Sequence, residues 1–412
     1  MKRIAYFPQD RPGDALVDIG QLPALRRIYG PCEIVAFCTE ANRELFGALS
    51  WCDRVEVCEP GRAWTEEESA AFGEFEAVFN TRHDRDAFDR TRALKTKARY
   101  GYETNEVPEA VCREGYTAHL PLAMWDDGEL RWKTGVCEQG AALVRLVDPD
   151  FHIDFPRLGK EDFREDVPET WSGAWREAGK TVLFVPGAGA EEKRWPMERF
   201  LALARKVRER GLEAVFQVGP CERTLGKEAE TAGFEVCDTP SWGRMAAQMR
   251  RALAVVGNDT GPMHLAAMLG VPTVTLHFHG SEGTWFPYGG DKRARHVALH
   301  PDCSRSRCLD NCPEAAGCGR KIDFGAVVAV CEGLRDNFKT EHSFHQKHDK
   351  PEQRRKHHAD KPRTRKSRMP SGNTRTASKR KHRTECPTRI EEISERGKKW
   401  TDMKKGDSLE WY

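Results

Sequence analysis

Short apolar runs rich in Val, Ile, Ala and Phe alternate with amphipathic stretches along most of the chain. Arg3–Phe7, Glu33–Phe37, Val55–Cys58 and Ala77–Asn80 read as strands, separated by helical or turn-rich spans. Further on the period changes. Between Met197 and Arg210, Phe200, Leu203, Ala204 and Val207 fall on one helical face, with Pro196 ahead of the first turn and Gly211 ending it. Thr181–Val185 and Leu212–Val218 flank that helix as two more strands. Strand and helix in turn predict an α/β protein with parallel sheets and helices on their faces. In such sheets ligands bind beyond the carboxyl ends of the strands.

The stretch Leu253–Phe278 condenses the pattern. It predicts a strand (Leu253–Val256), a polar loop (Gly257–Gly261), a short helix opened by Pro262 at its first position and stopped by Gly270, and a second strand (Thr273–Phe278). Thr260 or Asp259 is placed to cap the helix. The loop then aims backbone N–H groups and the positive end of a helix dipole at whatever lies above it, which suits a phosphate. His264 falls in the first turn, its side chain leaning back toward that mouth. An ordinary capped helix satisfies the same pattern.

Other strand ends carry candidate chemistry. Asp14 follows the first strand through the loop Pro8–Asp14, where an Asp serves equally as a helix N-cap. After Thr181–Val185 comes Pro186–Glu192, with glycines such as Gly187 that allow backbone to approach a ligand closely. Lys193 stands between that loop and Pro196, as a surface lysine or as a partner for a diphosphate. Glu222 follows Leu212–Val218, to hold hydroxyl groups or to cap a helix. Thr81–Arg99 carries Arg82, Arg85, Arg90, Arg92, Lys95, Lys97 and Arg99 against three Asp. That run reads as a solvated helix face or as a surface for an anionic partner.

Length and charge add boundaries. At 412 residues the chain exceeds one comfortable core. Periodicity fades from Asp148 to Lys180, where Pro149, Pro156, Gly159, Pro168 and Gly173 mark a linker. The expected division is 1–155, 156–339 and a tail at 340–412. Ile322–Asn337 reads as a closing amphipathic helix. The formal net charge of +2 hides a split, since residues 340–412 hold 21 Lys and Arg against 11 Asp and Glu and the rest 45 against 53. The tail is basic, poor in apolar residues through Arg383 and read as disordered. No apolar run approaches the roughly 18–20 residues a membrane span needs, and Met1–Asp14 lacks a signal-peptide core, so the cytoplasm is the expected compartment. The 14 Cys show no disulfide framework, and Cys303, Cys308, Cys312 and Cys318 lack the paired spacing of common zinc modules.

NDTGPMHLAAMLGVPTVTLHF, followed by Trp285-Phe286-Pro287-Tyr288-Gly289, resembles the signature of family 9 glycosyltransferases, the heptosyltransferase group. VLFVPGAGAEEKRWPMERFLALARKV (Val182–Val207) resembles that family's second motif. Gly13-Asp14 with Pro23-Ala24-Leu25 is similar to its N-terminal one. The resemblance runs from Met1 to about Asn337. It implies a GT-B architecture, two Rossmann-like domains facing across a cleft, and transfer of heptose from ADP-heptose to a lipopolysaccharide inner-core acceptor with inversion. By the same resemblance Asp14 is the general base and Lys193 stabilises the departing diphosphate. Gly187, Glu222, Asp259, Thr260, Gly261 and His264 then bind the donor. No cofactor or DxD metal pair is implied, and the enzyme works in the cytoplasm or peripherally at the inner face of the inner membrane. The chain departs from the pattern in one place. Nine positions separate Asp14 from Pro23, about three more than in the family, so Asp18 is the alternative base.

Three rival readings share these features. One is the same scaffold with another sugar nucleotide or acceptor, and the second a nucleotide-sugar-binding protein without catalysis. The third, a nucleic-acid-binding protein, rests on the tail alone; the body is acidic and lacks a base-reading motif.

Overall fold

The computed structural model describes residues 1–121, 136–152, 156–164, 173–189, 193–238, 241–277, 296–301 and 318–331. Residues 340–412, the tryptophan-containing motif at 285–289, and Cys303, Cys308 and Cys312 lie outside the described residues.

The first half is built from β1 (Lys2–Phe7), α1 (Pro12–Asp18), α2 (Gln21–Tyr29), β2 (Cys32–Cys38), α3 (Glu40–Ala48), β3 (Arg54–Val57) and α4 (Glu66–Ala71). It continues through β4 (Glu74–Phe75), β5 (Ala77–Asn80), α5 (Arg85–Ala93), β6 (Lys95–Thr96), β7 (Arg99–Tyr102), α6 (Glu109–Gly115), β8 (Ala118–Leu120) and α7 (Val136–Arg145). The second half holds β9 (Thr181–Val185), α8 (Met197–Glu209), β10 (Glu213–Val218), α9 (Arg223–Thr231), β11 (Glu235–Asp238) and α10 (Trp242–Arg251). It closes with β12 (Ala254–Asn258), α11 (Gly261–Met268), β13 (Thr273–Leu276) and β14 (His296–Leu299). Residues 324–331 form a further helical stretch.

Each half has one six-stranded sheet, ordered β3-β2-β1-β5-β7-β8 and β11-β10-β9-β12-β13-β14. All their pairings are parallel. Counted within its half, each sheet has the doubly wound order 3-2-1-4-5-6 of a Rossmann unit, with the direction of winding reversing beside its first strand. The central strands are buried on both faces, as the unbroken apolar runs require: Ile4, Ala5, Tyr6 and Phe7 in β1, and Ala254, Val255 and Val256 in β12. Phe200, Leu203, Ala204 and Val207 of α8 are buried as their spacing predicts.

The segment read as a linker is fastened to both halves where it is described. Leu158 N–H donates to the Met268 carbonyl at the end of α11 (3.0 Å), and Arg250 reaches the Gly159 carbonyl (3.3 Å). On the other side the Trp51 indole donates to Asp162 (2.7 Å) and Arg164 N–H to the Ala48 carbonyl (2.8 Å). Prolines and glycines punctuate this stretch because it turns, and its polar backbone finds partners on packed elements.

Candidate active site

The loops at the two reversal points meet. β1 runs out at Phe7 and α1 begins at Pro12, so Gly13 and Asp14 lie in its first turn. Opposite, β12 runs out at Asn258 and α11 begins at Gly261. A Cβ on Gly13 would stand 3.3 Å from the Cα and N of Gly261, and one on Gly261 would meet Gly13 at the same distance. Two glycines thus let the starts of α1 and α11 approach backbone to backbone.

Asp14 is half-buried at this seam. The N-cap of α1 is Arg11, so the capping alternative for Asp14 is not realised. Burial pushes the Asp14 carboxyl up to about 6; Arg11 pulls it down, Asp259 pushes it up and Lys193 pulls it down. Asp14, Asp259 and Lys193 therefore share one electrostatic neighbourhood although they come from different halves. Asp18 is placed otherwise. It is 1% exposed, and burial raises its carboxyl to about 8. A carboxylic acid that is buried and protonated at neutral pH is unsuited to take a proton from an incoming hydroxyl.

In the α11 mouth, Thr260 is the N-cap, but its side chain makes no capping bond; its hydroxyl donates to the Asn258 carbonyl (3.2 Å). Gly261, not Pro262, is the first helical residue. N–H groups at such a start lack an intrahelical partner. The far end closes as the sequence predicts, with Gly270 at φ 72° and the N–H groups of Gly270 and Val271 donating to the Ala267 and Ala266 carbonyls. His264 is 4% exposed, its Nε2 3.9 Å from Asp259 Oδ1. Burial lowers the imidazole to about 4 against the pull of Asp259, so the ring is neutral at neutral pH.

The lysine loop lies beside this mouth. Gly187 follows β9, and a Cβ there would overlap the carboxylate of Glu222, which therefore lies directly on the glycine backbone. Glu222 also accepts the Gly219 N–H (2.9 Å). Lys193 is half-buried, and Trp195, two residues on, is buried. One residue of the site escaped the sequence reading. Asn258, fully buried at the end of β12, donates to the carbonyls of Pro186 (2.7 Å) and Gly187 (3.3 Å) and accepts the Trp195 N–H (3.0 Å). A polar residue within the stretch read as loop, Gly257–Gly261, is the only trace it leaves in the sequence.

The basic run Thr81–Arg99 is largely consumed within the fold. Arg82, 6% exposed, pairs with Asp10 (2.8 Å) and Asp84 (2.6 Å). Arg90 pairs with Asp86 (2.8 Å) and the Arg62 carbonyl (2.7 Å), while Arg99 binds the carbonyls of Thr91 (2.8 Å) and Leu94 (2.6 Å). Lys95 and Lys97 pair with Glu74 and Glu76 at the surface. The expectation of an acidic-partner surface here loses its buried guanidiniums to internal bonds. Among the described residues, no three or more His, Cys, Asp or Glu side chains come together to hold a metal, and no helix is long and apolar enough to cross a membrane.

Two Rossmann-like units whose strand ends meet, with Asp14 on one and Lys193 beside a helix start on the other, have the GT-B arrangement. Residues 136–312 match the family model described as glycosyltransferase family 9 (heptosyltransferase). That match spans 177 of the 412 residues, somewhat less than half of the chain. The fold is similar to a family 9 glycosyl transferase from Veillonella parvula (20% identity, TM-score 0.61, covering 81% of this chain and 97% of that one). It is also similar to E. coli heptosyltransferase WaaC with ADP (18%, 0.61, 81% and 99%) and to E. coli ADP-heptose lps heptosyltransferase II (16%, 0.62, 82% and 100%). No curated protein matches it in sequence.

Proposed function

We propose that this glycosyltransferase moves a heptose from ADP-heptose to a hydroxyl of a lipopolysaccharide inner-core acceptor, with inversion at the anomeric carbon. The observation that carries the reading is the seam itself: Gly13 against Gly261, which sets Asp14 within electrostatic reach of Asp259 and Lys193. The heptosyltransferase description of the family model and the two E. coli heptosyltransferases that share the fold support the choice of sugar and nucleotide.

In this reading the Asp14 carboxylate takes the acceptor proton as the acceptor oxygen bonds to the anomeric carbon. The bond from that carbon to the diphosphate breaks, and its electron pair leaves with ADP. Lys193 and the N–H groups at Thr260 and Gly261 stabilise the charge that grows on the diphosphate. Asp259 and Glu222 hold donor hydroxyls. His264, being neutral, offers the mouth an uncharged imidazole rather than a cation. The leaving group is handled by protein donors, without a resident cofactor, in the cytoplasm or at the inner face of the inner membrane. The test is incubation with ADP-heptose and with UDP-sugars in the presence of core-truncated lipopolysaccharides, following nucleoside diphosphate release. Turnover with a UDP-sugar alone would overturn the donor assignment.

Binding separates the roles. Lys193→Ala is expected to weaken ADP and ADP-heptose alike by roughly ten- to a hundredfold, the loss of one charge-assisted hydrogen bond worth about 1.5–3 kcal/mol. Asp259→Ala is expected to weaken ADP-heptose more than ADP, because a carboxylate that grips sugar hydroxyls has nothing to hold in ADP. Calorimetric titration of both ligands into both variants checks this. Equal losses for the two ligands in Asp259→Ala would remove that residue from the sugar.

A further inference from the structure

We propose that Asn258 is a positioning residue for the donor diphosphate, locking the loop that carries Gly187 and Lys193 to the helix mouth at Asp259–His264. The proposal rests on the reading of that loop and mouth as one phosphate site. Both ends of the loop are tied to a single planar amide. Its NH2 donates to the Pro186 and Gly187 carbonyls where the chain leaves β9, and its oxygen accepts the Trp195 N–H where the chain returns to α8. Arg194 adds a second tie across the loop, to the Ala188 carbonyl (3.2 Å). Asn258 is fully buried, so each of these bonds replaces one that water cannot supply.

The neighbouring residues explain how the amide comes to be there. A Cβ on Gly257 would stand 2.7 Å from both the Cβ and the carbonyl of Val185 and 2.8 Å from Met263 Sδ. Only glycine lets β12 run this close to β9, and that approach sets Asn258 opposite Pro186. Trp195 is then anchored from the other side. Its ring is 2% exposed, lies edge-on to Phe200 at 5.0 Å and stacks on Phe324 at 6.0 Å. Lys193 stands two residues before this anchor and Asp259 one residue after the amide. A displaced loop would move the ammonium away from the mouth while leaving both sheets intact.

The experiment is a double-mutant cycle read by calorimetric titration of ADP. Wild type, Lys193→Ala, Asn258→Ala, Asn258→Asp and each Asn258 variant combined with Lys193→Ala are compared, after each has shown a cooperative thermal transition. Asn258→Asp keeps the size and the acceptor for Trp195 but loses the two donated bonds, so it remains informative where Asn258→Ala fails to fold. Each single variant is expected to weaken ADP about tenfold or more, and each double variant no more than about twofold beyond its Asn258 parent, because a misplaced lysine has little left to lose. Losses that multiply in the double variants, or unaltered affinity in the Asn258 variants while Lys193→Ala weakens binding, would overturn the positioning role and leave the phosphate site standing. Unaltered affinity in Lys193→Ala would instead overturn the phosphate site, and this proposal with it.

Discussion

Replacing Asp14 with Asn is expected to lower the transfer rate by roughly 10²–10⁴-fold, the usual range for losing a general base, while ADP-heptose affinity stays nearly unchanged. The two parts follow from where the residue sits. Asp14 belongs to the first half, whereas the proposed phosphate and sugar partners are in the second, so the amide removes a proton acceptor and little donor contact. The pH dependence gives an independent check. Burial first, and the Asp259 charge after Arg11, hold this carboxyl up at about 6. A base works only when ionised, so kcat/KM should rise through about pH 6 and level off above it. Lys193 lowers the Asp14 value and Asp259 raises it. The rising limb should therefore move to higher pH in Lys193→Ala and to lower pH in Asp259→Asn. Steady-state ADP release across pH 4.5–8.5 (a range of about four units around that value) measures all three enzymes. Near-normal turnover in Asp14→Asn would place the base elsewhere.

Much of the architecture was legible in the sequence because the central strands are covered on both faces. Runs such as Ala77–Asn80 and Thr181–Val185 are buried throughout and apolar but for Asn80 and Thr181, and their bounds agree between pattern and structure. β7, with Arg99 and Tyr100 half-exposed, was hidden inside a charge run. The mouth at Thr260–His264 was legible through its Gly-Pro start and its Gly270 stop, two residues with strong local preferences. What was not legible depends on tertiary approach. Gly13 against Gly261 is a contact between residues far apart in the chain, and neither glycine has a positive φ to betray it. Arg82 reads as a free cation until folding brings Asp10 beside it. Asn258 reads as loop polarity until Gly257 draws its strand against Val185.

Asp18 shows the same limit in a form that can be measured. In sequence it is a second acidic residue one turn after Asp14; in the fold it is buried, and against the cost of that burial only the nearby Thr81 hydroxyl draws its carboxyl down. Tyr6 donates to its backbone carbonyl (3.3 Å), not to its side chain. Gln21 beside it is also buried, with neither amide atom partnered among the described residues, and a Cβ on Gly140 would crowd Gln21 Nε2 at 2.6 Å and Asp18 Oδ1 at 3.0 Å. Burial holds the Asp18 proton to about pH 8, whereas the unfolded chain releases it near the ordinary value of about 3.9. Between those values the native state binds more protons than the unfolded state, so the stability contribution of this group falls as pH rises. The penalty is absent below about pH 4 and reaches on the order of 4 kcal/mol at pH 7, at 1.36 kcal/mol per unit. Asn offers the same donor and acceptor pattern as the protonated acid and does not ionise. Asp18→Asn should therefore match the wild type in stability near pH 4 and exceed it increasingly up to about pH 8, because every other titrating group is common to both proteins. Urea unfolding of the pair at pH 4, 5.5 and 7 measures the gap. A gap that stays constant with pH would mean that Asp18 is ionised in the folded protein, and would return it to contention as the base.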